Sequence, residues 1–94
     1  MSVVSQDDGE TRFGVMLLND DETPMEFVVW VVEQVFEMNR EKATQIMLKT
    51  HHAGVAFCGA FSRPEAENRV KQVMDLARQH QHPLRCAMEA ISAG

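Results

Sequence analysis

The densest run of groups able to do chemistry is Asn19-Asp20-Asp21-Glu22-Thr23. A carboxamide, three carboxylates and a hydroxyl in sequence are rich in acceptors. Such a set suits a cation, an ammonium group above all, because hydrogen bonds to charged partners are about twice as strong as neutral ones. The same run also reads as a solvated acidic turn that caps a helix, and composition by itself favours that plainer reading. A second stretch shifts the balance. Met47, Thr50 and His51 are spaced i, i+3 and i+4, so they share one side of a helix. If that helix lies beside the end of the first strand, His51 comes near Asn19. A neutral imidazole then adds an acceptor, and methionines and aliphatics beside it line an apolar pocket that adapts to varied side chains.

Other chemistries fit less well. His51 and His52 are adjacent and His80-x-His82 precedes Cys86, but none of these spacings matches a structural zinc site. No metal or other cofactor is expected. Cys58 and Cys86 form no CxxC and read as buried, unpaired thiols of a reducing compartment. The five glycines are scattered, so there is no phosphate loop. A formal net charge of -5 argues against a nucleic-acid or membrane-surface partner, which needs a basic patch. The start of the chain shows no signal peptide, and the most apolar stretch, Phe27 to Phe36, is too short to span a bilayer. A cytoplasmic monomer is expected.

The elements that must position the polar run follow from periodicity. Residues 1–12 are polar and aperiodic and read as a tail; residues 13–94 read as one domain. Phe13 to Leu18 alternates as a strand, with Val15 and Leu17 on one face and Met16 and Leu18 on the other. Thr23-Pro24-Met25-Glu26 has the pattern of a capping box and opens a helix with Val28, Val31, Val32, Val35 and Phe36 on one face. Trp30 falls opposite that stripe, among Glu26, Glu33 and Glu37, and is expected to be exposed. Asn39 caps a second helix carrying Ala43, Ile46, Met47 and Thr50, and Gly54 ends it. Val55 to Phe61 is a second strand. Ser62-Arg63-Pro64-Glu65 opens a third helix with Ala66, Val70, Val73, Met74 and Ala77 inward. Leu84 to Ile91 alternates as a last, half-buried strand. The order β-α-α-β-α-β predicts an α+β fold, three helices on one face of a small, mainly antiparallel three-stranded sheet.

The run Leu17-Leu18-Asn19-Asp20-Asp21-Glu22-Thr23-Pro24-Met25-Glu26-Phe27-Val28 resembles the signature of the ClpS adaptor family. So do Ala43-Thr44-Gln45-Ile46-Met47, His51 followed by Gly54, Cys58-Gly59-Ala60-Phe61 and His82-Pro83-Leu84. The resemblance runs from about Phe13 to Ile91. It implies a non-enzymatic adaptor, with a core similar to the C-terminal domain of the ribosomal stalk protein. Such an adaptor binds Phe, Leu, Tyr or Trp at the first position of a substrate protein. It docks on the N-terminal domain of the ClpA unfoldase and hands the substrate to the ClpAP protease.

The resemblance further implies that Asn19, Asp20 and His51 hold the substrate's α-amino group. Leu17, Thr23, Met25, Val28, Met47, Thr50 and Leu84 would build the side-chain pocket. Pro64, Glu67 and Arg69 would lie on the surface that meets ClpA. Three departures stand out. Thr50 occupies a position where a branched apolar residue is familiar, Pro64 replaces an acidic residue, and the tail is shorter than in many members, so delivery is expected to be weaker than binding. A stalk-type ribosomal domain would not account for the acidic loop and His51 together. A ClpA regulator that binds no substrate terminus is the rival of a different class, and no nucleophile-base pair suggests an enzyme.

Overall fold

The computed structural model describes residues 11–91. Strand β1 spans Arg12–Leu18, helix α1 Met25–Phe36, helix α2 Arg40–Ala53, strand β2 Val55–Phe61, helix α3 Arg63–Gln79 and strand β3 Arg85–Ile91. The element order and α+β class are those the periodicity predicts. The first strand begins at Arg12, one residue inside the segment read as tail; most of that segment lies outside the described residues.

The sheet order is β2-β1-β3, and both pairings are antiparallel. Strand β1 is therefore central, and its C-terminal end is flanked on both sides. Val15 and Leu17 are fully buried and join Cys58 and Cys86 in the core against the helices. The register on β2 steps from Val15↔Gly59 to Met16↔Phe57. Cys58 is the extra residue of a bulge, and this lets both Cys58 and Phe61 turn toward the helices despite odd spacing. Gly59 sits at φ 153°, and a Cβ there would come within 2.9 Å of the Phe61 ring.

Helix α1 is rich in valine, with five in 12 residues, and the branched Cβ of valine lowers helix propensity. Its helicity comes from burial. Val28, Val29, Val31, Val32 and Val35 are all buried, each contributing roughly 1.5–3 kcal/mol relative to exposure. Helix α3 buries Ala66, Val73 and Ala77, while Met74, expected inward, is 38% exposed at the edge of that stripe. Both thiols are free and buried, and burial pushes each up to about 12, so they are inert at neutral pH.

The helix ends show where local rules hold and where they yield. Asn39 accepts from the Lys42 amide at 2.8 Å, and Ser62 from the Glu65 amide at 3.4 Å, as N-caps. Thr23 does not cap α1. Pro24 occupies the cap position without a side-chain bond, and the Thr23 hydroxyl is used elsewhere. Gly54 ends α2 in the left-handed region at φ 88°, its N–H donating to the Thr50 carbonyl at 2.9 Å. No heavy atom lies within 4 Å of a Cβ added there, so a side chain meets backbone strain and nothing else. Gly54→Ala should therefore lower the unfolding free energy by roughly 1–2 kcal/mol. Gly54→Asn should lose less, because Asn tolerates the left-handed region. Urea unfolding of the three proteins measures this, and equal stability of the alanine variant would exclude the assigned cap.

Candidate functional site

The site is assembled by one backbone hydrogen bond. The Asn19 N–H, just past the end of β1, donates to the Gly54 carbonyl at 3.0 Å, just past the end of α2. His51, one turn before Gly54, is thereby brought to the polar run. This meets the condition on which the spacing of His51 and Asn19 depended.

Asp20 then shapes the loop. Its Oδ1 accepts from the Glu22 amide at 2.8 Å and the Thr23 amide at 2.7 Å, and its Oδ2 accepts from the Thr23 hydroxyl at 2.8 Å. This is an Asx-type turn reinforced by a side chain. A carboxylate has about four acceptor sites, so three are occupied and roughly one remains. Burial pushes the Asp20 carboxyl up. The bonds from Thr23 and Glu22, with the charge of Arg85, outweigh that and hold it below the usual carboxylate range. Among the described residues, neither the Asn19 carboxamide nor the His51 ring makes a hydrogen bond with the protein.

Between loop, α1 and α2 lies a depression of about 270 Å³. Its volume falls just below the usual range of ligand sites, roughly 300–1,000 Å³, which suits one side chain better than a cofactor. Asn19, Asp20 and His51 line it together, as do Thr23, Met25, Val28, Met47, Thr50 and Leu84. Acceptors thus gather where β1 ends, and apolar walls come from α1, α2 and the residue before β3. Met25 is 51% exposed and stands at the rim. Thr50 is buried and its hydroxyl donates to the Ile46 carbonyl at 2.8 Å, so the donor is spent within α2.

Leu17 does not line this depression. It is fully buried under the helices, and Leu18, its neighbour on the opposite face of β1, lines the depression instead. Asp21, Glu22 and Pro24 line it too. The strand alternation separates Leu17 from Leu18, but it does not tell which of the two faces a pocket lying beyond the strand's end.

A tilted aromatic group fixes the apolar walls. The Phe27 ring centroid lies 4.5 Å from that of His82, 5.2 Å from His80 and 5.7 Å from Trp30. Phe27 precedes Val28, and His82 lies two residues before Leu84. The stack therefore ties one wall of the depression to another. Trp30, expected to be exposed, is half-buried in this group, 5.4 Å from His80. The apolar side of α1 is wider than its valine stripe.

Of the residues expected at the outer surface of α3, Arg69 already carries internal contacts. The Arg69 guanidinium donates to the Val35 carbonyl, near the C-terminal end of α1, and lies 5.1 Å over the Phe61 ring. A cation there is favourable to the helix dipole. Glu67 pairs with Arg63 at 3.8 Å, and Pro64 is exposed.

Fold and site describe a small binding domain, with acceptors facing apolar walls across one shallow depression. Among the described residues there is no group of His, Cys, Asp and Glu able to hold a metal, and no helix is long and apolar enough to cross a membrane. The family model described as "ATP-dependent Clp protease adaptor protein ClpS" matches residues 8–87. The Clp protease adapter ClpS of Rhodospirillum centenum is 60% identical over 79 residues, covering 84% of this chain and 73% of that protein. ClpS 1 of Rhizobium meliloti is 53% identical over 92 residues, 94% of this chain and 79% of that one. Among solved structures, Agrobacterium tumefaciens ClpS2 bound to L-phenylalaninamide matches with a TM-score of 0.85 at 35% identity, over 87% of this chain and 99% of that one. The chain belongs to the ClpS family of ATP-dependent Clp protease adaptors.

The loop chemistry gives a pH prediction. Because Asp20 titrates below its unfolded value, its stabilisation of the loop is present above the ordinary carboxylate range, about 3.9, and is lost as pH falls through the lowered native value. In an NMR titration the Glu22 and Thr23 amide resonances should move together, with a midpoint below that of an ordinary aspartate. Asp20→Asn should abolish this step. A midpoint at or above the ordinary value would contradict the bonding described.

Proposed function

We propose that this adaptor binds the free N-terminal residue of substrate proteins when that residue is Phe, Leu, Tyr or Trp. We further propose that it delivers them to the ClpA unfoldase of the ClpAP protease. The observation that carries the first part is the pairing in one depression of three acceptor residues, Asn19, Asp20 and His51, with apolar walls. An α-ammonium group needs the first and a bulky side chain needs the second. The relative bound to L-phenylalaninamide supports this, since that ligand is a free amine, a benzyl side chain and an amide, the parts of a chain's first residue.

In this reading Asn19 Oδ1 and a His51 ring nitrogen accept from the ammonium, while Asp20 chiefly orders the loop and offers its remaining lone pair and its charge. Thr23, Met25, Val28, Met47, Thr50 and Leu84 receive the side chain. The adaptor itself cleaves nothing. It acts in the cytoplasm, and the exposed side of α3 near Pro64 and Glu67 meets the N-terminal domain of ClpA. Arg69 contributes there only as far as its bond to α1 leaves it free.

A peptide beginning with free Phe or Leu should bind, and its N-acetylated form should not, because acetylation removes the charge and donors that the acceptors require. Each charge-assisted bond contributes on the order of 1.5–3 kcal/mol, so the loss should exceed about a hundredfold. Affinity should also fall once acid protonates the imidazole, which then has no acceptor and repels an ammonium. His51→Ala should lose that dependence. Fluorescence titrations with both peptides decide it, and equal binding of the acetylated peptide would sink the reading.

Met25 gives a second prediction. The amine site fixes where the ligand's Cβ sits, and Ile and Val are wider there than Phe and Leu. Wild type should prefer Phe and Leu peptides, and Met25→Ala should narrow the gap chiefly by improving Ile and Val binding. A uniform loss for all four peptides would make Met25 a packing residue only.

A further inference from the structure

Cysteine and methionine are the side chains a peroxide attacks most readily, and the fold sorts them by reach. Cys58 and Cys86 are buried, and burial pushes both thiols up to about 12, so neither presents the reactive thiolate. A thioether needs no ionisation, so access decides which methionine reacts. Among the described residues, Met16, Met38, Met47 and Met88 are partly buried. Met25 is 51% exposed and Met74 38%. Met74 lies on α3 and does not line the depression, whereas Met25 opens α1 and does. The most accessible of these methionines therefore stands at the mouth of the site.

We propose that Met25 is an oxidation site, and that its conversion to the sulfoxide by a peroxide reversibly weakens the hold of the depression on an apolar first residue. The proposal rests on the reading of the depression as the site of that residue. In the step, a lone pair of the Met25 Sδ attacks one oxygen of hydrogen peroxide. An S–O bond forms, the O–O bond breaks, and the second oxygen leaves as water with both protons. The sulfur loses an electron pair and the peroxide gains it. The product is polar and chiral where the thioether was apolar and flexible. Nearby donors are already committed. The Glu22 and Thr23 amides and the Thr23 hydroxyl are spent on Asp20, and the Thr50 hydroxyl on the Ile46 carbonyl. A ligand side chain filling the depression would strip water from the new oxygen, and none of these groups would replace it.

The test is a fluorescence-polarisation titration with a sulfur-free Phe-initiated peptide, dye-labelled at its C-terminus, before and after the protein meets hydrogen peroxide. Catalase removes the peroxide before the peptide is added, and peptide mapping by mass spectrometry places the added oxygen. Met25 should be oxidised ahead of the other methionines of residues 11–91. Affinity should fall at least about fivefold, the low end of the cost of burying a polar group without a partner. Methionine sulfoxide reductases A and B with dithiothreitol should restore both mass and affinity. Each variant is compared with its own untreated state. Met25→Leu, whatever its starting affinity, should barely respond to peroxide, and Met74→Leu should respond as wild type does. Undiminished affinity with Met25 fully oxidised, an equal proportional loss in Met25→Leu, or oxidation of another of these methionines first would each overturn the proposal. An N-acetylated peptide on the untreated protein separates the two readings. If it binds as tightly as the free peptide, the first-residue site is wrong and the proposal falls with it. If untreated protein prefers the free peptide and oxidised protein binds it equally well, the oxidation proposal alone falls.

Discussion

The bond from the Asn19 N–H to the Gly54 carbonyl is the contact on which the candidate site depends. It joins the end of the central strand to the end of the second helix, two places far apart in sequence. Asn19 and His51 line one depression because of it. The bond in turn depends on Gly54 adopting φ 88°, which turns the chain out of α2 and into β2. A strained left-handed residue at this position would loosen the link between the helix that carries His51 and the strand that carries Asn19.

A second constraint works on the loop. Asp20 gathers three hydrogen bonds within three residues and so gives a short acidic segment a fixed shape. The carboxylate that looks from its chemistry like the strongest ligand for an ammonium is largely committed to the fold. Its unspent acceptor site and its negative charge remain, and Asn19 and His51 hold the acceptors that the protein does not use. Arg85, paired across the sheet with Leu18, helps keep Asp20 ionised.

Much of this was legible in the sequence because periodicity and end signals agreed with one another. The valine spacing from Val28 to Val35, the Asn39 and Ser62 caps and the Gly54 stop each correspond to an observed feature. The failures share a cause. Thr23 follows a capping pattern, yet its hydroxyl donates to Asp20, a nearer partner that the four-residue pattern ignores. Trp30 lies off the valine stripe, yet Phe27, His80 and the turn after α3 provide it with a surface that is visible only once α3 has packed. Leu17 and Leu18 carry the same side chain and differ only in which way they face at the end of a strand, where no further alternation remains to separate core from pocket. The bulge at Cys58 likewise leaves no mark but an irregular spacing. Of the candidate site residues, those in the loop and on α2 were recoverable from spacing, while the wall supplied by Leu84 depends on a sheet register set by β1.

The most direct measurement is a crystal structure of the protein with a Phe-initiated peptide. The account predicts the benzyl ring in the depression between Met25, Val28, Met47 and Leu84, and the ammonium nitrogen at about 3 Å from the Asn19 carboxamide oxygen and a His51 ring nitrogen, with Asp20 still bonded to Thr23. A peptide bound with its ammonium in solvent, or seated away from His51, would contradict it.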